Sequence, residues 1–230
     1  MRAEVTGTTR RRWGAVPHRQ LLAAIAASVP SDPLRTVEAA VVTHLLRPTP
    51  WHFPSHVRLT SVASTCYPAL TQRVAEVLAE RFSGIRIARQ LSSRASDDRP
   101  RFDVLVPSLS PNEITDVLAD LWAAVPPLFD ARIPSRNHAA AACTVWRSAL
   151  LVASSDRRRT QLRVWLPDTQ SVMVLRRAGA ALGVSVASHR RRGDFYFVTV
   201  DDPADSITLL RRVGAGPHAD AWVQHKTVAA

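Results

Sequence analysis

The chain of 230 residues contains two pairs of adjacent carboxylates, a residue type that can serve acid–base or metal-dependent chemistry. These pairs are Asp97-Asp98, shortly before Pro100, and Asp201-Asp202, directly before Pro203. Aspartate in such a setting commonly accepts hydrogen bonds from the backbone of a turn or a helix N-terminus. We therefore interpret both pairs as turn and cap residues, and an active-site role is the alternative.

Other catalytic and cofactor-binding motifs are absent from the sequence. Its eight glycines form no GxGxxG or GxxxxGK loop, and no GxSxG motif occurs. Cys66 and Cys143 lack CxxC spacing, and we expect both to be buried free thiols on amphipathic helices. His44 falls on the apolar side of a predicted helix, where a packed histidine is expected rather than a ligand. We predict no metal site and no cofactor.

Arginine dominates the charge of the chain. The formal net charge is +11, and Lys226 is the single lysine among 30 cationic residues. The planar guanidinium suits bidentate binding of phosphate, so nucleic acid is the first class of partner to consider. The alternative is that the high content of arginine, alanine, valine and leucine reflects only the base composition of a GC-rich genome.

The overall composition is that of a globular chain. Its hydrophobic content of 46% can supply one or two cores. The apolar runs fall well short of the roughly 20 residues that a membrane-spanning helix needs, and Arg10-Arg11-Arg12 adjoins no secretory signal. We expect a cytoplasmic protein, located at the bacterial nucleoid if it binds DNA.

Two stretches of about 100 residues repeat the same order of predicted elements. In the first, helical spacing of apolar residues predicts helices near 34–47 and 68–82, and Ser110-Pro-Asn-Glu113 is typical of the start of a third. Strands alternate with these helices. The predicted division is a basic flexible arm (1–17), a leading helix (18–33), a first unit (34–130), a linker (131–136), a second unit (137–215) and a C-terminal segment (216–230).

The second unit follows the same pattern. Leu162, Val164 and Leu166 alternate with polar positions in a predicted strand, Asp168 is placed to cap a helix, and Gly183 to end it. The fold class we predict is α+β, with two pseudo-symmetric αββαββα units in one chain, the short first strand of each being included.

This order, given twice with a helix pair between the units, resembles the LAGLIDADG homing-endonuclease fold. Trp146-Arg-Ser-Ala-Leu-Leu, Leu175-Arg-Arg-Ala-Gly-Ala-Ala-Leu-Gly-Val184 and the segment from Leu209 to Trp222 are similar to the WhiA family of bacterial sporulation and cell-division regulators. In the first half, Val37-Glu38 and Leu45-Leu46-Arg47 lie where that family has a similar segment. Members of that family carry a degenerate LAGLIDADG domain and then a helix-turn-helix domain. The chain ends at Ala230, where that second domain would follow, so promoter recognition by it is not expected here.

The resemblance also provides a test for cleavage chemistry. A LAGLIDADG nuclease holds divalent metal with one carboxylate at the end of each interface helix. Those positions fall at Pro50 and Ser154, which cannot replace anionic ligands. Asp156 would fit a shifted register, but the stretch 43–54 contains no Asp or Glu to pair with it. We therefore expect no metal-dependent cleavage and no enzyme activity.

DNA binding then remains as the expected use of the fold, whose sheets form a saddle that can enter the major groove. The expected contacts divide into residues on the open faces of strands and arginines in turns. The first group is Arg58, Arg86, Arg101, Arg163 and Trp165; the second, expected to bind phosphate, is Arg157, Arg158, Arg159, Arg190, Arg191 and Arg192. A solvated face is the alternative for each.

Three hypotheses follow from the sequence. The first is a catalytically inactive, WhiA-like protein that binds double-stranded DNA and regulates transcription, from a phage, a plasmid or an actinobacterial chromosome. The second is a protein-interaction module that docks a WhiB-like iron–sulphur regulator or RNA polymerase and has little DNA affinity. The third is an active homing endonuclease, the least expected because its carboxylates are missing. We predict the first.

Overall fold

A computed structural model describes residues 15–47, 49–51, 59–90, 100–107, 111–130, 137–153, 162–191, 195–216 and 218–219. Within these ranges, helices and strands alternate along the chain. They are α1 (Ala15–Ala27), α2 (Asp32–Leu46), β1 (Thr49–Trp51), β2 (Leu59–Thr65), α3 (Pro68–Ala79), β3 (Arg86–Gln90), β4 (Arg101–Pro107), α4 (Pro111–Ala123), a 3₁₀ turn (Pro126–Phe129), α5 (His138–Ala153), β5 (Leu162–Leu166), α6 (Thr169–Ala181), β6 (Ala187–Arg191), β7 (Phe195–Val200), α7 (Pro203–Leu210) and a π turn (Arg211–Ala215).

Two antiparallel sheets result. Sheet A has the strand order β1-β2-β4-β3, and sheet B has the order β5-β7-β6. The first unit therefore reads αββαββα, as predicted, and the fold class is confirmed. In the second unit the described elements read αβαββα, since the predicted first strand falls outside the described residues. None of the helices in the described ranges is long and apolar enough to cross a membrane.

Several element boundaries differ from those predicted, and local chemistry accounts for the main ones. The leading helix already begins at Ala15, inside the predicted arm, and α2 begins at Asp32 because Pro33 fits the first turn of a helix, where no backbone donor is required. Pro126–Phe129 forms a 3₁₀ turn near the end of the first unit, and the predicted linker (131–136) lies outside the described residues. Cys66 lies in the bend after β2, not on a helix, because Pro68 starts α3 two residues later.

The predicted helix caps at Asp168 and Asp202 are confirmed, whereas Asp97, Asp98 and Ser110 lie outside the described residues. The Asp168 carboxylate accepts a hydrogen bond from the Ser171 backbone N–H at 2.8 Å, and the Asp202 carboxylate accepts one from Ala204 at 2.6 Å. Gly183 follows α6 with φ of 72°, a conformation that favours glycine. Glycine is required at position 179 for a different reason, namely space: a Cβ at this position would lie 2.4 Å from Cγ2 of Val186.

One hydrophobic core runs through both units and centres on α2 and α5. These two helices pack against each other, and each also contacts other helices of its own unit. Small residues, including Ala39, Ala40, Ala142 and Ala149, are fully or almost fully buried along them. Short side chains let helix backbones approach closely, so α2 and α5 form the joint between the units.

A buried cluster of charges crosses this joint. The Glu38 carboxylate on α2 is 1% exposed and accepts two hydrogen bonds from Arg73 on α3, at 2.6 and 3.0 Å. It accepts a third from Arg147 on α5, at 3.3 Å. Burial lowers the pKa of Arg147, and the Glu38 charge partly opposes this effect. Glu38 thus links three helices and two units.

A second polar cluster joins the units through α6. Nε2 of His44 lies 2.9 Å from Oδ2 of Asp168 and 3.0 Å from Oγ of Ser171. The His44 ring stacks on Trp122 of α4, with centroids 3.8 Å apart, and the Trp122 indole donates to the Gln170 side chain at 2.8 Å. His44 therefore packs as predicted, but against the second unit and with a carboxylate partner.

Neither cysteine forms a disulfide, as predicted, but both are partly exposed and not buried. Burial raises the pKa of the Cys143 thiol on α5, although Arg212 and Arg147 act in the opposite direction. A raised pKa reduces the thiolate fraction at neutral pH, which is the state expected of a structural thiol.

We predict that Glu38→Leu destabilises the fold by about 3–5 kcal/mol, because Arg73 and Arg147 would stay buried without their shared anion. Urea unfolding followed by circular dichroism measures this. The control is Asp32→Asn, which removes an exposed ion pair with Arg35 and should cost about 1 kcal/mol or less. Equal effects of the two substitutions would contradict a structural role for the buried cluster.

The Asp168 charge predicts a pH dependence of stability. Although burial alone would raise its pKa, hydrogen bonds from His44 and Ser171 together hold the pKa well below the usual value of 3.8. A depressed pKa stabilises the fold above pH of about 4, and this contribution disappears as the pH falls towards the folded-state pKa. Asp168→Asn keeps the capping oxygen and removes the charge, so its stability should lie below that of wild type at pH 7, and the gap should narrow progressively as the pH falls from about 4 to about 2. A gap that is independent of pH would contradict the assignment.

Candidate nucleic-acid interface

The face of sheet A that lies away from the helical core carries two of the predicted contact residues. Val104 and Val106 of β4 belong to the core, so the alternating residues of that strand lie on the opposite face. Arg101 belongs to this alternating set, and β-pairing of Arg86 with Leu105 places Arg86 on the same face. Both arginines are exposed. The two charges therefore share the open face of sheet A, as predicted.

Polar groups lie between these arginines. Asp103 is 3% exposed, and its Oδ1 accepts a hydrogen bond from the Ser61 hydroxyl at 3.0 Å. Gln90 pairs with Arg101 at the edge of the sheet and is exposed. The Ser61–Asp103 pair is therefore buried within the sheet, whereas Gln90 adds an exposed amide beside the two arginines.

The open face of sheet B carries Arg163 and Trp165. Leu162, Val164 and Leu166 are buried against the helices, and the two predicted residues alternate with them and are partly exposed. The Arg163 guanidinium lies over the Phe197 ring, 4.5 Å from its centroid. Arg163 therefore does not extend freely into solvent, since a cation–π contact holds it down on the sheet.

The arginines predicted in the turn of the β6–β7 hairpin occupy two different positions. Arg190 and Arg191 are residues of strand β6 instead, because the strand extends through Arg191. Since β6 alternates, they lie on opposite faces: Arg191 on the open face, and Arg190 beside Tyr196, with its guanidinium 5.8 Å from the ring centroid. Arg58, Arg157, Arg158, Arg159 and Arg192 lie outside the described residues.

Aromatic residues of sheet B were missed in the sequence. Phe197 stacks with His189 and contacts Trp165, and Phe195 is 61% exposed. The pattern Phe195-Tyr196-Phe197 could have revealed them, because two aromatic residues two positions apart share one face of a strand.

The end of α2 carries a different residue from the one that the resemblance placed there. Pro50 lies in strand β1 and not at the end of a helix, because α2 already ends at Leu46. Ser154 and Asp156 follow α5 directly and are outside the described residues. The α2 cap is Arg47, whose backbone has φ of 54°, the one positive value for a non-glycine residue in the described ranges. Its side chain donates to the Pro167 carbonyl at 3.0 Å.

One carboxylate, Asp168, does lie beside this end of α2, where His44 contacts it. Its two oxygens are engaged: Oδ1 accepts from the Ser171 backbone and hydroxyl, both at 2.8 Å, and Oδ2 faces His44. Among the described residues, no group of three or more His, Cys, Asp or Glu side chains is arranged to hold a metal ion. The local chemistry of Asp168 is therefore that of a helix cap and an ion-pair partner.

Comparison by sequence finds no matching family model and no matching curated protein. Comparison by structure finds similar folds. Full-length DUF199/WhiA from Thermatoga maritima superimposes with a TM-score of 0.54 at 11% identity, over 91% of this chain and 65% of that one. The chain thus spans about two thirds of that protein's length.

Two further structures show the same arrangement. The N-terminal LAGLIDADG domain of DUF199/WhiA gives a TM-score of 0.53 at 10% identity, over 86% of this chain and 89% of that domain. The homing endonuclease I-DmoI, crystallised with its target DNA, gives 0.51 at 11% identity, over 80% of this chain and 98% of the endonuclease. These superpositions show a shared fold. The chain accordingly has a WhiA-like LAGLIDADG fold with two units in one polypeptide, as the sequence resemblance predicted.

Proposed function

We propose that this chain is a non-catalytic DNA-binding protein that acts in transcription regulation, with the open faces of its two sheets as the binding surface. The observation that carries the proposal is the position of the arginines. Arg86 and Arg101 share the open face of sheet A, and Arg163 and Arg191 share that of sheet B. A LAGLIDADG-fold neighbour, I-DmoI, was crystallised with its target DNA.

Electrostatics supports this surface as a phosphate-binding one. The net charge of +11 attracts a polyanion, and each arginine that neutralises a phosphate releases condensed counterions. Sheet A adds the exposed amide of Gln90, which is able to bond base edges in a groove. The proposed surface therefore offers groups for contacts to both the DNA phosphates and the bases.

The end of α2 supports binding without cleavage. A nuclease of this fold requires anionic ligands at that position, and the sequence offers Arg47 and a stretch without Asp or Glu. Asp168 is nearby, but its partners are His44 and Ser171. A cation at this place also favours retention of phosphate, since Arg47 adds positive charge beside the joint of the two units.

We predict that the protein binds duplex DNA with an affinity that falls steeply with salt, and that Mg²⁺ produces no cleavage. Arg86→Gln and Arg101→Gln should each lower the slope of log K against log salt by about 0.9, the value for one phosphate contact. Fluorescence anisotropy with labelled duplex across a salt series measures the slope, and a denaturing gel of the same samples measures cleavage.

The matched control is Arg176→Gln, which removes the same charge from the exposed side of α6, on the helical side of sheet B. Its slope should stay close to that of wild type. Equal slopes for all three variants would show that DNA binding depends on the overall positive charge of the protein and not on a defined surface. Absence of duplex binding at low salt, together with a co-purified protein, would favour the docking alternative; cleavage that Asp156→Asn abolishes would favour the endonuclease.

A further inference from the structure

The open face of sheet B carries a row of three rings in contact, one from each strand. Trp165 of β5 and His189 of β6 both pair with Phe197 of the central strand β7. The Phe197 and His189 rings are nearly parallel, with centroids 4.7 Å apart and 15° between planes. Trp165 approaches Phe197 at 5.1 Å. The row therefore crosses the whole sheet.

Neighbouring groups fix the orientation of the row. The Arg163 guanidinium lies over Phe197 at 4.5 Å, and Nε2 of His189 lies 3.0 Å from the Thr199 hydroxyl. Thr199 is 1% exposed beneath these side chains. Rings held in this way lose little conformational entropy when a ligand binds against them.

Phe195 continues this face beyond the row. It lies two residues before Phe197 and pairs with Arg191 of β6, so both share the open face. It is 61% exposed, the highest value among the large apolar side chains in the described ranges. His189 and Arg191 beside it are also exposed. An aromatic ring is thus available to a ligand next to two groups that bond or neutralise an anion.

The two sheets differ in what they offer a nucleic acid. Sheet A presents Arg86, Arg101 and Gln90, which suit the phosphates and base edges of a duplex. Sheet B presents rings. The faces of paired bases are covered by their neighbours in the stack, whereas an unpaired base has a free face that stacks on aromatic side chains. Ring surface therefore favours a strand with unpaired bases.

We propose that the open face of sheet B binds the unpaired bases of single-stranded DNA, with Phe195 and His189 as stacking partners and Arg163 and Arg191 beside the backbone phosphates. This inference rests on the proposed DNA-binding function and specifies the ligand of one sheet. The preferred ligand is a duplex that continues into a single strand, since sheet A retains the chemistry for the paired part.

The test uses three labelled probes in anisotropy titrations: a blunt duplex, oligothymidine, and the same duplex with an oligothymidine tail. Wild-type protein should bind the tailed duplex at least about 5-fold more tightly than the blunt one, the effect of stacking a single base. Phe195→Leu retains an apolar side chain without a ring and should remove this gain. Phe195→Tyr retains the ring and should keep it.

The control variant is Met173→Ser, which removes a half-exposed apolar side chain from α6, on the helical side of the sheet. It should match wild type on all probes, and circular dichroism verifies that each variant is folded. Equal binding of tailed and blunt duplex, or equal behaviour of Phe195→Leu and Phe195→Tyr, would overturn the inference and leave duplex binding intact. Failure to bind any probe would remove both proposals.

Discussion

The arrangement of the helices depends on one buried anion. Glu38 sits on α2 and accepts hydrogen bonds from Arg73 on α3 and Arg147 on α5, so its position is shared by three helices. A buried charge is tolerated only where its partners are fixed, and its removal would leave two guanidinium groups without an anion in the core. This geometric requirement sets the register of α2 against α5, and each sheet follows from its own helices.

A second constraint acts near the opposite end of α2. Nε2 of His44 contacts the carboxylate that caps α6, and Arg47 bonds the carbonyl of Pro167 just before that helix. The C-terminal end of α2 and the N-terminal end of α6 are therefore fixed together. In this fold the same region is where a nuclease would need its carboxylates. Here the imidazole of His44 and the guanidinium of Arg47 lie in this region, and both contribute to the joint between the units.

Much of the fold was predictable from the sequence because local signals were strong. Asp168, Asp202 and Gly183 mark helix ends through their own hydrogen bonds or backbone conformation, and the alternation of Leu162, Val164 and Leu166 shows which face of β5 is buried. The Glu38 cluster and the His44–Asp168 contact were not predictable, since their partners lie 35 to 124 residues apart. Arg190 and Arg191 were assigned to a turn because a run of arginines before a glycine does not reveal where a strand ends.

The pseudo-symmetry of the chain holds for its buried faces and not for its outward ones. Val104 and Val106 in sheet A and Val164, Val198 and Val200 in sheet B are all fully buried, because each sheet must pack on helices in the same way. The core puts no such constraint on the opposite faces. They carry arginine and polar groups in one unit and stacked rings in the other. A fold shared at 10–11% identity is thus maintained by its inward residues, while the residues of its outward faces are free to differ.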